Sequence, residues 1–274
     1  MSDRRRAVIF DLDNTLILED ASTEAAVRAA ADLARDRAGV DPALVASAAT
    51  RAAEQLWKAA PGYAYGEAFG IWWGEGLWGE FAGDDPGIAS IRAYVPTFRE
   101  RVWSDALDAV GVRDAALAAE MQRAYFSART AKETIDPEAE PVLTDLGRDH
   151  RLGLLTNGAG DVQRAKLGRT PFARYFETIV VSVEAGIGKP DPRVFAFAAA
   201  GLGVAPADAT MVGDSLVRDI AGAQRAGMRA VWIDRGLWHE TSGAKPDAVV
   251  KRLSDLRAAL DELERRPASP RASS

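Results

Sequence analysis

The chain has 274 residues, 47% of them hydrophobic, a formal net charge of −6, no cysteine and only two histidines. The lack of cysteine excludes disulfides, thiolate zinc sites and cysteine nucleophiles, while His150 and His239 alone give poor support to histidine metal clusters or Ser-His-Asp chemistry. The acidic balance offers no basic field for nucleic acid, no apolar segment approaches a membrane span, and no apolar h-region follows the charged start Met1–Arg6, so the expectation is a soluble, cytoplasmic protein with neither nucleic acid nor membrane as partner.

The first predicted element is the run Ala7–Phe10, β-branched and aromatic after a basic start. It reads as a central parallel strand buried on both faces. Ligands of open α/β sheets bind just beyond the carboxyl ends of such strands, and here the chain continues Asp11-Leu12-Asp13-Asn14-Thr15. Two close carboxylates raise each other's pKa or demand a cation between them. A divalent metal satisfies that demand, as does a division of labour with one carboxylate as nucleophile and the other as acid. For the tripeptide alone, an Asx-type turn with a helix cap is the competing reading.

From about Ser22 to Met121 the periodicity is helical, with breaks near Pro42, Pro61-Gly62, Asp84–Gly87 and Gly111. This predicts an insert of four to six helices with little strand. From about Pro141 strand and helix alternate, with candidate strands at Leu152–Thr156, Thr178–Ser182, Thr210–Gly213, Ala230–Ile233 and Ala248–Val250. Such spacing fits βαβ units with right-handed crossovers, so the first strand belongs to the same sheet. The fold class is therefore α/β, a Rossmann-like parallel sheet flanked by helices. The expected division is a core of residues 1–17 plus 135–265, an inserted α-helical cap at 18–134, and a disordered tail at 266–274.

Three more signals fall at predicted strand ends. Thr156-Asn157-Gly158 can offer a hydroxyl and backbone N–H groups to an oxyanion, although the tripeptide is also an ordinary turn. Gly188-Lys189-Pro190-Asp191-Pro192 fixes one lysine in a rigid loop ahead of a helix at Arg193–Ala200, which suits a charge neutraliser opposite carboxylates. Gly213-Asp214, followed by Asp219, could join the first two aspartates around one hard cation, and Mg²⁺ prefers such oxygen ligands. A helix cap is the plainer role for Asp214 taken by itself. All four signals occur on one side of the sheet, which chance does not readily produce.

As a set, Asp11-Leu-Asp13-Asn-Thr, Thr156-Asn157, Lys189-Pro190 and Gly213-Asp214-x₄-Asp219 closely resemble the four motifs of the haloacid dehalogenase superfamily. The resemblance is to its capped phosphatase branch, with phosphoglycolate, sugar-phosphate and nucleotide phosphatases, and it covers the whole core. It implies Asp11 as the nucleophile that takes the phosphoryl group and Asp13 as acid, then base. It further implies that Thr156, Asn157 and Lys189 bind the phosphoryl group, Thr156 and Lys189 also serving catalysis. Mg²⁺ would bind Asp11, the backbone carbonyl of Asp13, and Asp214, with Asp219 ligating directly or through water. Dehalogenases of the superfamily lack the acid–base carboxylate at the position of Asp13, so its presence moves the expectation from halide to phosphate chemistry.

The resemblance thus implies a Mg²⁺-dependent phosphatase of a small phosphorylated metabolite, working through an aspartyl phosphate as a monomer or homodimer. A phosphomutase of the same superfamily and a non-catalytic regulatory protein that retained the fold are the alternatives. The insert holds five of the seven tryptophans, with a dense cluster between Trp57 and Trp78. Packing of the cap core, a substrate surface and a homodimer contact all fit that cluster. Arg99 and Arg101 are further candidates for an anionic substrate group, and Lys58 lacks the surroundings of an imine-forming lysine.

Overall fold

The computed structural model describes residues 6–236 and 243–265. The tail at 266–274, expected to be disordered, and His239 lie outside the described residues. The chain divides into two compact units, one of Met1–Leu18, Ile135–Asn157 and Thr170–Ser274, the other of Glu19–Thr134 and Gly158–Arg169.

The first unit is built on six parallel strands: β1 Ala7–Phe10, β2 Arg151–Thr156, β3 Thr178–Val181, β4 Ala209–Gly213, β5 Arg229–Ile233 and β6 Ala248–Val250, in spatial order β3-β2-β1-β4-β5-β6. Strand β1 lies between β2 and β4, with Phe10 in register with Leu154 on one side and Val212 on the other. All four of its residues are buried, as a continuous apolar run with no polar alternation requires. The expected strands are all present, three of them starting one residue earlier and one ending one residue sooner. Ser182 belongs instead to a helical turn, Ser182–Ala185, closed by Gly186 at φ +68°.

Helix Pro192–Gly201 covers one face of this sheet, its Val194, Phe195, Ala198 and Ala199 packing with Ile9, Leu155, Met211 and Ala230. Burying each large apolar side chain contributes about 1.5–3 kcal/mol. Pro192 opens the helix, and the Asp191 carboxylate caps it by accepting from Arg193 N at 2.9 Å. Because every strand runs the same way, the segments that follow β1, β2, β3 and β4 emerge at one edge.

The second unit is helical: Glu19–Ala38, Pro42–Lys58, Tyr63–Phe69, Trp73–Gly76, Pro86–Asp108 and Ala115–Ala131, joined by Gly160–Gly168. Asp41, Asp85 and Asp114 accept from backbone N–H groups at the first turns of three of these helices, and Pro42 and Pro86 suit first-turn positions. Trp57, Phe98, Trp103 and Tyr125 are buried in this unit's core, Trp57 meeting Phe98 edge-on at 5.2 Å. Trp72 and Trp73 are half-buried and in mutual edge contact at 4.9 Å. Within the aromatic segment Trp57 and Trp78 are buried, while Tyr63, Tyr65, Phe69, Trp72 and Trp73 are half-buried.

A buried ionic network also lies wholly within the second unit. Arg129 pairs with Glu19 and with Glu133, the latter at 2.8 Å, and Arg169 pairs with Glu133 at 2.6 Å. Lys166 pairs with Glu75 at 2.8 Å and with Glu19 at 3.3 Å. These contacts explain why the short segment Gly158–Arg169, read from its strand–helix alternation as core, groups with the helical unit. Arg129 and Arg169 also lie 5.1 and 4.9 Å from the Trp78 ring centre, a favourable placement for cations over an indole.

Candidate active site

The site residues all belong to the first unit. Asp11 continues β1, its N–H donating to Val212 O at 2.9 Å, and its carboxylate is buried at the sheet edge. The chain then folds tightly, with the N–H groups of Thr15, Leu16 and Ile17 all directed at Leu12 O at 2.9–3.3 Å. Asn14 sits in this turn at φ +55°, a left-handed conformation that asparagine tolerates better than most residues. Thr15, fully buried, donates from Oγ1 to Asp11 Oδ2 at 3.3 Å. Asp13 is half-buried in the same turn.

Lys189 is the electrostatic centre. Its buried ammonium donates to Asp11 Oδ1 at 2.6 Å and to Asp219 Oδ1 at 2.7 Å. Burial pulls this lysine's pKa down, but its pairing with Asp11 and Asp219 outweighs burial, so the net shift is upward and the ammonium stays charged. Asp11 moves to about 7, chiefly because burial disfavours its charge; Lys189 opposes that rise, while Asp219 and Asp13 add to it. Asp214 is likewise raised well above the usual carboxylate range, by burial first and then by Asp11 and Asp219.

Asp214 follows β4 and is half-buried, its backbone oxygen accepting from the Trp232 indole at 2.7 Å. Asp219 lies in a π-helical turn, Leu216–Ala221, where its Oδ2 accepts from Ser215 N at 3.0 Å. Gly213 leaves room for this arrangement, because a Cβ there would stand 2.3 Å from the Asp219 carboxyl and force it to shift. Asp11, Asp214 and Asp219 each offer a carboxylate oxygen, all within 4.8 Å of one another. Three crowded, desolvated oxygen donors suit a hard divalent cation. The carboxylate of Asp13 is not among these three, which leaves its backbone carbonyl as its only expected route to a metal.

Thr156 and Asn157, at the end of β2, are buried. Thr156 Oγ1 donates to Asn157 O at 3.3 Å. The Asn157 side chain is engaged within the protein. Its amide is aimed at the lysine loop, with Nδ2 donating to Lys189 O and Oδ1 accepting from Lys189 N, each at 2.8 Å. It acts here as a clamp on the Lys189 backbone. Arg99 donates to the backbone oxygens of Gly76 and Gly79 at 3.0 and 2.7 Å. Arg101 pairs with Asp105 at 3.5 Å, and Lys58 is exposed.

Sequence reasoning missed Trp232 and Arg235, which touch the site only through backbone oxygens. Arg235 donates from Nε to Asn14 O at 3.2 Å and from Nη2 to Thr15 O at 2.8 Å. The sole hint was their position just past the middle and end of a buried strand.

Residues 5–227 match the family model described as haloacid dehalogenase-like hydrolase. The chain belongs to that family. This hydrolase is 42% identical over 253 residues to the phosphoserine phosphatase of Thermus thermophilus, covering 92% of the chain and 96% of that relative. It is 36% identical over 166 residues to the N-acylneuraminate-9-phosphatase of Rattus norvegicus, covering 59% of the chain and 67% of that relative. Among solved structures it shares the fold of the HAD-hydrolase YfnB from Bacillus subtilis, with a TM-score of 0.63, 21% identity, and coverage of 94% of this chain and 99% of that one. Among the described residues, no helix is long and apolar enough to cross a membrane.

Proposed function

We propose that this hydrolase is a Mg²⁺-dependent phosphatase that cleaves a small phosphorylated metabolite through an aspartyl phosphate on Asp11. The observation that carries the reading is the lysine-bridged carboxylate cluster, in which Lys189 holds Asp11 and Asp219 while Asp214 completes a three-oxygen cradle. The named activities of the relatives support it, and their variety leaves the ester open; O-phosphoserine is the first to assay, given the similarity over almost the whole chain.

In this reading Asp11 attacks phosphorus, forming its acyl–phosphate bond as the ester P–O bond breaks. Asp13 gives its proton to the departing oxygen, then takes one from the water that attacks the phosphoenzyme and releases phosphate. Lys189 favours the ionised, nucleophilic form of Asp11 against the effect of burial, and offsets charge on the transferring group. Thr156 supplies a hydroxyl to a phosphoryl oxygen. Asp11, Asp214 and the backbone oxygen of Asp13 would hold Mg²⁺. Asp219 would serve it directly or through water. The ion, when bound, supplies positive charge against the developing phosphoryl charge. The helical unit, residues 19–134 with 158–169, takes the part of a cap that excludes water from the reaction.

The test is phosphate release from O-phospho-L-serine, p-nitrophenyl phosphate and sugar phosphates, with Mg²⁺ or with EDTA, alongside Asp11→Asn. Mg²⁺-dependent release, abolished in the variant, is expected, with a phosphoenzyme trapped by acid quench. Release that survives Asp11→Asn overturns the nucleophile. Isomerisation without free phosphate would instead identify a phosphomutase, and no turnover of any ester a binding protein.

A further inference from the structure

The turn that follows Asp11 is held from outside by one side chain. Arg235, just past β5, directs its guanidinium at two successive backbone oxygens, Asn14 O at 3.2 Å and Thr15 O at 2.8 Å. The same group pairs with Asp136 at 2.7 Å, and both side chains are largely buried. Asp136 is itself anchored, its N–H donating to Leu16 O at 3.0 Å and its Oδ1 accepting from Glu138 N at 2.8 Å. Ile17 forms an antiparallel bridge with Ile135 beside it. Arg235 therefore ties together the turn after β1, the returning segment at Ile135–Asp136, and the end of β5.

Three features make this more than generic packing. The two acceptors belong to the residues directly after Asp13, so the guanidinium fixes the two peptide units that follow the one carrying the Asp13 carbonyl, and Asp13 is held through the turn they form. Asn14 holds a left-handed φ of +55°, a conformation that persists where the surroundings over-determine it. The planar fork of arginine spans two carbonyls and a carboxylate at once, which the point charge of lysine does not.

We infer that Arg235, locked by Asp136, is the positioning residue for Asp13: it sets the turn Asn14–Thr15 so that the Asp13 carboxyl reaches the leaving oxygen. The inference rests on the phosphatase reading above. It deepens that reading by making proton delivery, rather than phosphoryl binding, the step that depends on Arg235. An alkoxide leaving group needs the proton far more than a nitrophenolate does. Loss of a positioning residue for the acid should then discriminate between esters.

The experiment compares the full chain with Arg235→Met, Arg235→Lys and Asp13→Asn on O-phospho-L-serine (or the best alkyl phosphate found) and on p-nitrophenyl phosphate. Expected for Arg235→Met is a fall in kcat/KM, which reports the steps up to phosphoenzyme formation, about 10-fold larger for the alkyl than for the aryl ester, with Asp13→Asn showing the same discrimination in stronger form. Arg235→Lys should fall between wild type and Arg235→Met, and it carries the test if the methionine variant fails to fold. Equal losses of kcat/KM on both esters in a folded variant overturn the positioning role. Wild-type protein that turns over neither ester overturns the phosphatase reading instead, so the two failures are distinguishable.

Discussion

Lys189 donates from a buried ammonium to Asp11 Oδ1 at 2.6 Å, across 178 residues of sequence. That pair, with Asp219 at 2.7 Å on the same nitrogen, decides how the site behaves when any member is removed. Lys189→Met leaves the carboxylates crowded in a desolvated pocket with no counter-charge. Breaking a buried pair from one side typically costs about 3–5 kcal/mol. We expect that loss of stability by urea unfolding in metal-free buffer, together with loss of turnover. Partial recovery of stability on adding Mg²⁺ would show the cation taking over part of the lysine's role; unchanged stability would refute the electrostatic account.

The pH dependence follows from the raised carboxyls. Asp11 moves from 3.8 to about 7 in the folded protein, so between those values the folded state binds more protons than the unfolded chain. Its contribution to stability therefore falls as pH rises through that window and is constant above it. A bound cation substitutes for the proton. Thermal melts across pH 4–8, with and without Mg²⁺, should show stabilisation by the ion that grows toward pH 7–8 and nearly vanishes near pH 4. The difference between the two curves isolates this site from other titrating groups. Equal stabilisation at both ends would refute it.

Gly213→Ala tests the space behind Asp219. The added methyl carbon would lie 2.3 Å from the Asp219 carboxyl carbon, so the carboxylate must move off Lys189 and Ser215. Displacement of a site group by about 1 Å commonly costs on the order of 10²-fold in rate. The expected result is a loss of kcat of that size with weakened Mg²⁺ dependence, read from activity titrated with Mg²⁺. Wild-type kinetics would show that the turn relaxes freely.

The helical unit makes a separate prediction. Arg129→Met leaves three buried carboxylates (Glu19, Glu75 and Glu133) facing the two cations Lys166 and Arg169. A destabilisation of about 3–5 kcal/mol is expected. Pairing it with Glu133→Gln should recover part of that loss, which a double-mutant cycle measures. Additive losses would mean the groups do not interact.

Much of this was legible in the chain itself. A run such as Ala7–Phe10 has few alternatives to a central strand, and Asp11, Lys189, Asp214 and Asp219 stand out because charge at the end of an apolar strand needs a reason. Arg235 carried no such mark: a lone arginine before a glycine looks solvated until the turn it holds is in view. The clamp that the Asn157 side chain places on the Lys189 backbone was not legible, because an amide serves a phosphate and a peptide bond equally well on paper. Glu19 and Lys166 lie in charged helical sequence, and Glu75 in a glycine- and tryptophan-rich turn, and only tertiary packing reveals their burial. The π-helical turn that brings Asp219 back to Ser215 likewise depends on contacts distant in sequence.

The strand order has a consequence for how activity first arises. With β1 in the middle and β4 beside it, the carboxylates contributed by Asp11 and by Asp219 meet only after nearly the whole core has been laid down. Closing contacts of such long range is the slow part of folding. A growing chain on the ribosome therefore holds Asp11 from the outset yet cannot complete the carboxylate cluster until the fourth strand docks, so the finished cluster reports that β1 and β4 are side by side.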